Sequence, residues 1–190
     1  PEIAIRELTA NALVHQDFTI PGAGPMVEIF QGRMEIGNPG VPLIDTLRFI
    51  DEPPRSRNEA LASLMRRMHI CEERGSGIDK VISQAEAFQL PAPDFRVTSG
   101  STVAVLFGPR VFAHMDREER IRASYQHACL LYVSGKRMTN STLRTRLGIA
   151  EKNYPIASRI IRDTVEAQLI RPYSVGRGSK KDSSYIPFWA

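Results

Sequence analysis

Residues 5–15, IRELTANALVH, place three polar side chains one helical turn apart, because Glu7, Asn11 and His15 recur at every fourth position. Ile5, Leu8 and Ala12 follow an apolar stripe of the same helix, so the segment predicts an amphipathic helix with a polar line along a second face. That line meets either solvent or a ligand. The Glu7/Asn11 pair has a chemical use in the second case: an amide oxygen can complete a Mg²⁺ shell, and a carboxylate one turn away can orient an attacking water.

Outward from this helix, the first half alternates helix and strand. Pro25 to Ile29 and Arg33 to Ile36 read as two strands around Gln31-Gly32, followed by the breaker-rich turn Gly37-Asn38-Pro39-Gly40-Val41-Pro42. Arg57 to Met68 has helical spacing through Ala60, Leu61, Leu64, Met65 and Met68. Ile78 to Phe88 gives another amphipathic helix directly after Gly75-Ser76-Gly77. Asp94 to Thr98 and Thr102 to Phe107 form a second hairpin around Ser99-Gly100. The order predicts an α+β sandwich with helices on one face of a mixed sheet. Glycines that open a helix allow backbone N–H groups and the helix dipole to approach a phosphate, and Lys80 lies just inside that helix.

The runs RELTANALVHQDFT, MEIGNPGVP, RSRNEALASLMRRMHICEERGSGIDKV and STVAVLF resemble the C-terminal region of bacterial regulators labelled RecG-related ATP-dependent DNA helicases, over roughly residues 1–108. That region in turn resembles the GHKL ATPase fold of gyrase, histidine kinases and mismatch-repair ATPases. The resemblance implies a nucleotide site. In it, Glu7 would be the catalytic carboxylate if ATP is hydrolysed, and Asn11 would be a Mg ligand. Gly37, Asn38 and Gly40 would form the first glycine turn, residues 43–73 a lid, and Gly75, Gly77 and Lys80 the second turn at the phosphates. Gly37 stands where the family carries the Asp that holds the adenine amino group, and Pro39 stiffens the turn. The implied ATP and Mg cofactors are therefore expected to bind weakly or not at all. The chain has no Gly-x-x-x-x-Gly-Lys-Ser/Thr loop, so nothing in it supports a P-loop helicase.

Charge separates the two halves. Residues 1–108 carry 10 Lys+Arg against 14 Asp+Glu, and residues 109–190 carry 15 against 7, so the second half holds a net +8. The break at Phe107-Gly108-Pro109-Arg110 sets the expected domains as 1–108, an ATPase-like domain, and 109–190. Asp116-Arg117-Glu118-Glu119 reads as a capping box opening a helix to about Val133 with Ile121, Tyr125, Ala128 and Tyr132 inward. A short helix from Thr139 to Leu147 stops at Gly148. A third runs from Pro155 to Leu169 with Ile156, Ile160, Ile161, Val165 and Leu169 inward. Strands Ile170 to Val175 and Ser184 to Phe188 follow, around a basic tip. Three helices and a hairpin resemble a winged helix-turn-helix, the expected C-terminal fold. For docking in a major groove, Asn153, Tyr154, Ser158, Arg159 and Arg162 are the helix residues expected at bases, and Arg177, Lys180 and Lys181 the wing residues expected at phosphates.

Duplex DNA is thus the leading partner. The rival use of a winged helix is dimerisation, giving a homo-oligomer, or contact with another protein. The leading function is a DNA-binding transcriptional regulator whose ATPase-like domain is a degenerate scaffold or ligand sensor; the alternative is a DNA-coupled GHKL ATPase. No run of about 18 apolar residues or signal peptide is visible, so the chain reads as intracellular and cytoplasmic, without a membrane partner. Cys71 and Cys129 lack metal-ligand or disulfide spacing and read as packing residues. Pro1 opens the chain directly in a helical pattern, so a preceding domain is expected; in the resembling regulators this is commonly a Schlafen/AlbA-type nucleic-acid-binding domain.

Overall fold

In a computed structural model of the chain, residues 1–70, 77–173 and 183–190 are described. They divide into two compact units, Pro1–Pro109 and Arg110–Ala190.

The first unit opens with α1 (Glu2–His15), then the hairpin β1 (Met26–Phe30) and β2 (Arg33–Pro39). Helices α2 (Glu59–Arg67) and α3 (Gly77–Ala87) follow, and the hairpin β3 (Asp94–Thr98) and β4 (Ser101–Phe107) closes the unit. The strands stand in the order β1-β2-β4-β3, and every pairing is antiparallel. This corrects the mixed sheet expected from sequence. The two-helix connection returns the chain so that β4, not β3, lies beside β2, and the second strand of a hairpin necessarily runs against its first. Ala4, Leu8 and Ala12 of α1 and Val81 of α3 pack on Ile36, Ala104 and Leu106, so both helices cover the same sheet face. A smaller core joins Ala10 and Val14 of α1 to Ala62 and Met65 of α2.

Because strand side chains alternate, Ile36 and Asn38 point to the helix-covered face of β2, whereas Gly37 points to the other. The end of β2 is tied on both sides. The Asp17 amide donates to the Pro39 carbonyl at 2.8 Å, the Gly40 amide to Gly100 O at 2.7 Å, and the Thr102 hydroxyl to Gly40 O at 2.8 Å.

The second unit comprises α4 (Arg117–Val133), the two-residue strand β5 (Met138–Thr139), α5 (Asn140–Leu147), α6 (Tyr154–Glu166), β6 (Ile170–Tyr173) and β7 (Ser184–Pro187). Its sheet is antiparallel, in the order β5-β7-β6. The expected capping box of α4 is present, with Asp116 accepting from the Glu119 amide at 2.8 Å and Glu119 accepting from the Asp116 amide at 3.0 Å. Gly148 ends α5 at φ 64°, a left-handed conformation that glycine adopts without strain. The six-residue link to α6 then holds a 3-10 turn, Glu151–Asn153. Helix α6 buries Ala157, Ile160, Ile161 and Thr164. Ile156, expected inward, is 39% exposed because it lies one position off this stripe. Cys129 is fully buried, while Cys71 lies outside the described residues. No helix among the described residues is long and apolar enough to cross a membrane.

Candidate functional site

A cavity of about 370 Å³ opens in the first unit between α1, α2, the start of α3, the ends of β2 and β4, and the segment 41–57. The polar line of α1 faces into it: Glu7, Asn11 and His15 all line the wall. Of the two readings of that line, the ligand-facing one therefore has a cavity to match, although Glu7 is only 2% exposed. Its carboxylate is 3.3 Å from the Arg6 guanidinium.

Gly77, the first residue of α3, sits directly against this pair. A Cβ at Gly77 would lie 3.1 Å from Glu7 Oε2 and 3.7 Å from Asn11 Nδ2, so a side chain there would crowd the carboxylate. Glu7, Asn11 and Gly77, separated by as many as 70 positions in sequence, are thereby brought together at one end of the cavity. Asn38 also lines it and is buried. Gly37, Gly40 and Lys80 do not. Gly37 faces Val103 and Thr102 across the sheet. Gly40 adopts φ +101° with its backbone packed on Asp17, and Lys80 lies off the inward stripe Gly77, Val81, Ile82 and Ala85. Gly75 lies outside the described residues.

The remaining wall comes from 41–66. Apolar Val41, Pro42, Leu43, Ile44 and Phe49 are followed there by the charged Glu52, Arg55, Arg57, Glu59 and Arg66. Arg57 fixes this segment: it donates to Asp17 Oδ2 at 2.8 Å and to Val41 O at 2.6 Å. Next to it, Asn58 donates to Val14 O at 2.9 Å and Gln16 O at 2.8 Å, satisfying carbonyls left open where α1 ends. Burial, with the neighbouring Arg57 charge adding to it, lowers the His15 pKa and favours the neutral imidazole. Hydrogen bonds from the Thr19 hydroxyl and amide, and secondarily the Arg57 charge, outweigh burial and hold the Asp17 carboxyl below the usual range. Asp17, Arg57 and Asn58 were missed in the sequence reading; the bonds from Arg57 to Asp17 and from Asn58 to Val14 span 40 and 44 positions and leave no periodic signal.

Residues 22–107 match the family model described as "Putative ATP-dependent DNA helicase recG C-terminal". This supports an ATPase-like domain in the first unit. The match begins after α1, so Glu7 and Asn11 lie outside it and reach the site through the fold. No curated protein matches the chain. Among solved structures, the chain is similar to the DIP2311 protein from Corynebacterium diphtheriae, with a TM-score of 0.53 at 14% identity, over 98% of this chain and 50% of that one. At that identity the likeness concerns the fold alone, and the chain spans half the length of that protein.

In the second unit, Asn153 at the end of the 3-10 turn and Tyr154, Ser158, Arg159 and Arg162 of α6 are exposed. Tyr154 is 60% exposed. The Ser158 hydroxyl is turned toward α5, accepting from Asn140 Nδ2 at 2.9 Å, and Arg162 lies 4.0 Å from Glu166. The wing candidates Arg177, Lys180 and Lys181 fall outside the described residues. No group of three or more His, Cys, Asp or Glu side chains that could hold a metal occurs among the described residues.

Proposed function

We propose that this chain belongs to a DNA-binding transcriptional regulator, in which residues 110–190 act as a winged helix on duplex DNA and the ATPase-like unit is a degenerate scaffold or ligand sensor. The observation that carries this reading is the exposed face of α6. It presents Tyr154, Arg159 and Arg162, with Asn153 just before it, on a half-chain with a net +8; an exposed helix face carrying two arginines fits a major groove, and the cations of the whole unit draw on the phosphate field. Antiparallel β6 and β7 would then form the wing, and Arg177, Lys180 and Lys181, which fall in sequence between them and outside the described residues, are its proposed phosphate contacts.

In the first unit, Asn11 would complete a Mg²⁺ shell and Glu7 would face the phosphates if a nucleotide were bound. The fit is partial. The inward residue at the end of β2 is the amide Asn38, not a carboxylate, and an amide offers a donor and an acceptor where a carboxylate only accepts. Weak nucleotide holding without useful turnover is the outcome this chemistry favours. Cytoplasmic residence and assembly with a nucleic-acid-binding domain elsewhere in the protein accord with such a role.

The test is fluorescence anisotropy of the chain with a labelled random-sequence duplex across a salt series. Four phosphate contacts give a slope of about −3.6 in log affinity against log salt. Replacing Arg177, Lys180 and Lys181 together by Ala should flatten the slope and weaken all sequences alike. Replacing Arg159 should relax sequence preference, by about 1–3 kcal/mol for a lost bidentate base contact. Binding that is independent of salt, or unchanged in the triple variant, would assign this unit to protein contact or dimerisation.

A further inference from the structure

Asn140, the first residue of α5, has its side-chain donors and acceptor committed to three partners. Its Nδ2 donates to the Tyr154 carbonyl at 3.0 Å and to the Ser158 hydroxyl at 2.9 Å, and its Oδ1 accepts from Arg144 Nε at 2.9 Å. One amide thus bridges the first turn of α5 to the first turn and a half of α6, and also orients a guanidinium one turn along its own helix. The start of α5 is itself fixed. Thr139 accepts from the Thr142 amide at 3.2 Å, and the Thr142 hydroxyl accepts from the Thr139 amide at 3.0 Å, so the clamp hangs from a capped helix end.

Arg144 uses its Nε–H on Asn140, and no described carboxylate pairs with it. Elsewhere in the second unit Arg162 has Glu166 and Arg117 has Asp163 at 3.4 Å. A guanidinium tethered through Nε still presents both terminal amino groups as a planar fork, which matches two oxygens of a phosphate. Through Asn140, which also donates to Tyr154 and Ser158, this half-buried guanidinium is tied to the side of α6 that carries those two residues.

We propose that Arg144 is a phosphate-contacting residue of the DNA interface, and that Asn140 is the positioning residue that orients its fork and fixes the first turn of α6. The proposal rests on the reading of this unit as DNA-binding. It adds to that reading a contact from α5, a helix not otherwise assigned a role at the duplex, and a named cause for the placement of α6.

The test uses the whole chain, a labelled random-sequence duplex and a salt series. Arg144→Ala should reduce the magnitude of the salt slope by about 0.9, the value of one contact, and weaken binding to all sequences alike. Arg144→Lys should keep the slope and still weaken binding several-fold, since an ammonium lacks the fork. Asn140→Ala should speed amide hydrogen exchange at residues 158–161, the first amides bonded within α6, in the free protein, with α4 unchanged as a control for folding. An Arg144→Ala slope equal to wild type, while wild type binds duplex, would overturn the Arg144 contact alone. Unchanged exchange at 158–161 in Asn140→Ala would overturn the positioning role. If wild type fails to bind duplex at low salt, the DNA reading and the phosphate contact fall together, and accelerated exchange in Asn140→Ala would still establish the clamp on α6.

Discussion

Two residues of one turn, Gly40 and Asn38, show how a shared motif divides its work. Asn38 turns its side chain toward the cavity, whereas Gly40 holds the strand end in place at φ +101°, where a Cβ would come within 2.9 Å of Asp17 Cβ. Gly40→Ala therefore combines a disfavoured backbone region with a backbone-level clash, and should lower unfolding free energy by about 2 kcal/mol or more, read from urea midpoints. Asp79 gives a test through pH. Burial raises its pKa from 3.8 to about 6, and its Oδ1 has no hydrogen-bond partner among the described residues. Between these values the folded state holds the proton that the unfolded chain releases, so this group's contribution makes stability fall as pH rises from about 4 to about 6. Asp79→Asn should lack that fall. Its stability relative to wild type should be greater at pH 7 than at pH 4 in urea melts, and a difference independent of pH would refute the assignment.

Elements of this chain are bounded mainly by local chemistry. Asp116 and Glu119 cap α4 reciprocally, and the Glu119 carboxylate also receives a hydrogen bond from Arg110. Asp116→Ala should cost about 1 kcal/mol, seen as a lower thermal midpoint, because the Glu119 amide loses its acceptor at the helix start. The same locality made the hairpins of the first unit legible: Gln31-Gly32 and Ser99-Gly100 each sit between alternating strands that pair as expected. Strand β5 escaped notice because two residues, Met138 and Thr139, carry no period; their pairing with Tyr185 and Ser184 exists only once α4 and α5 bring them to the sheet. In α6, adjacent Ile160 and Ile161 fixed the buried face, yet Ile156 was misread since an apolar side chain in a first turn can lie just beyond the covered stripe.

At the scale of the molecule, an acidic ATPase-like unit is joined to a strongly basic one. Calorimetric titration of the chain with ATP and Mg²⁺ should give at most weak binding, with no turnover that Glu7→Ala abolishes. Submicromolar affinity, or hydrolysis lost in that variant, would establish a working ATPase. The sequence by itself determined the helices, the two hairpins of the first unit, the chain position where charge changes sign and the polar line of α1, because turns, periodicity and charge counts are properties of neighbouring residues. Only the tertiary structure decided that the first sheet is wholly antiparallel, that Asn38 rather than Gly37 faces the cavity, and that Asn140 ties α5 to α6. Each of these depends on which faces of distant segments meet when the core is buried, and that choice is made by packing across the whole unit rather than by any short stretch of chain.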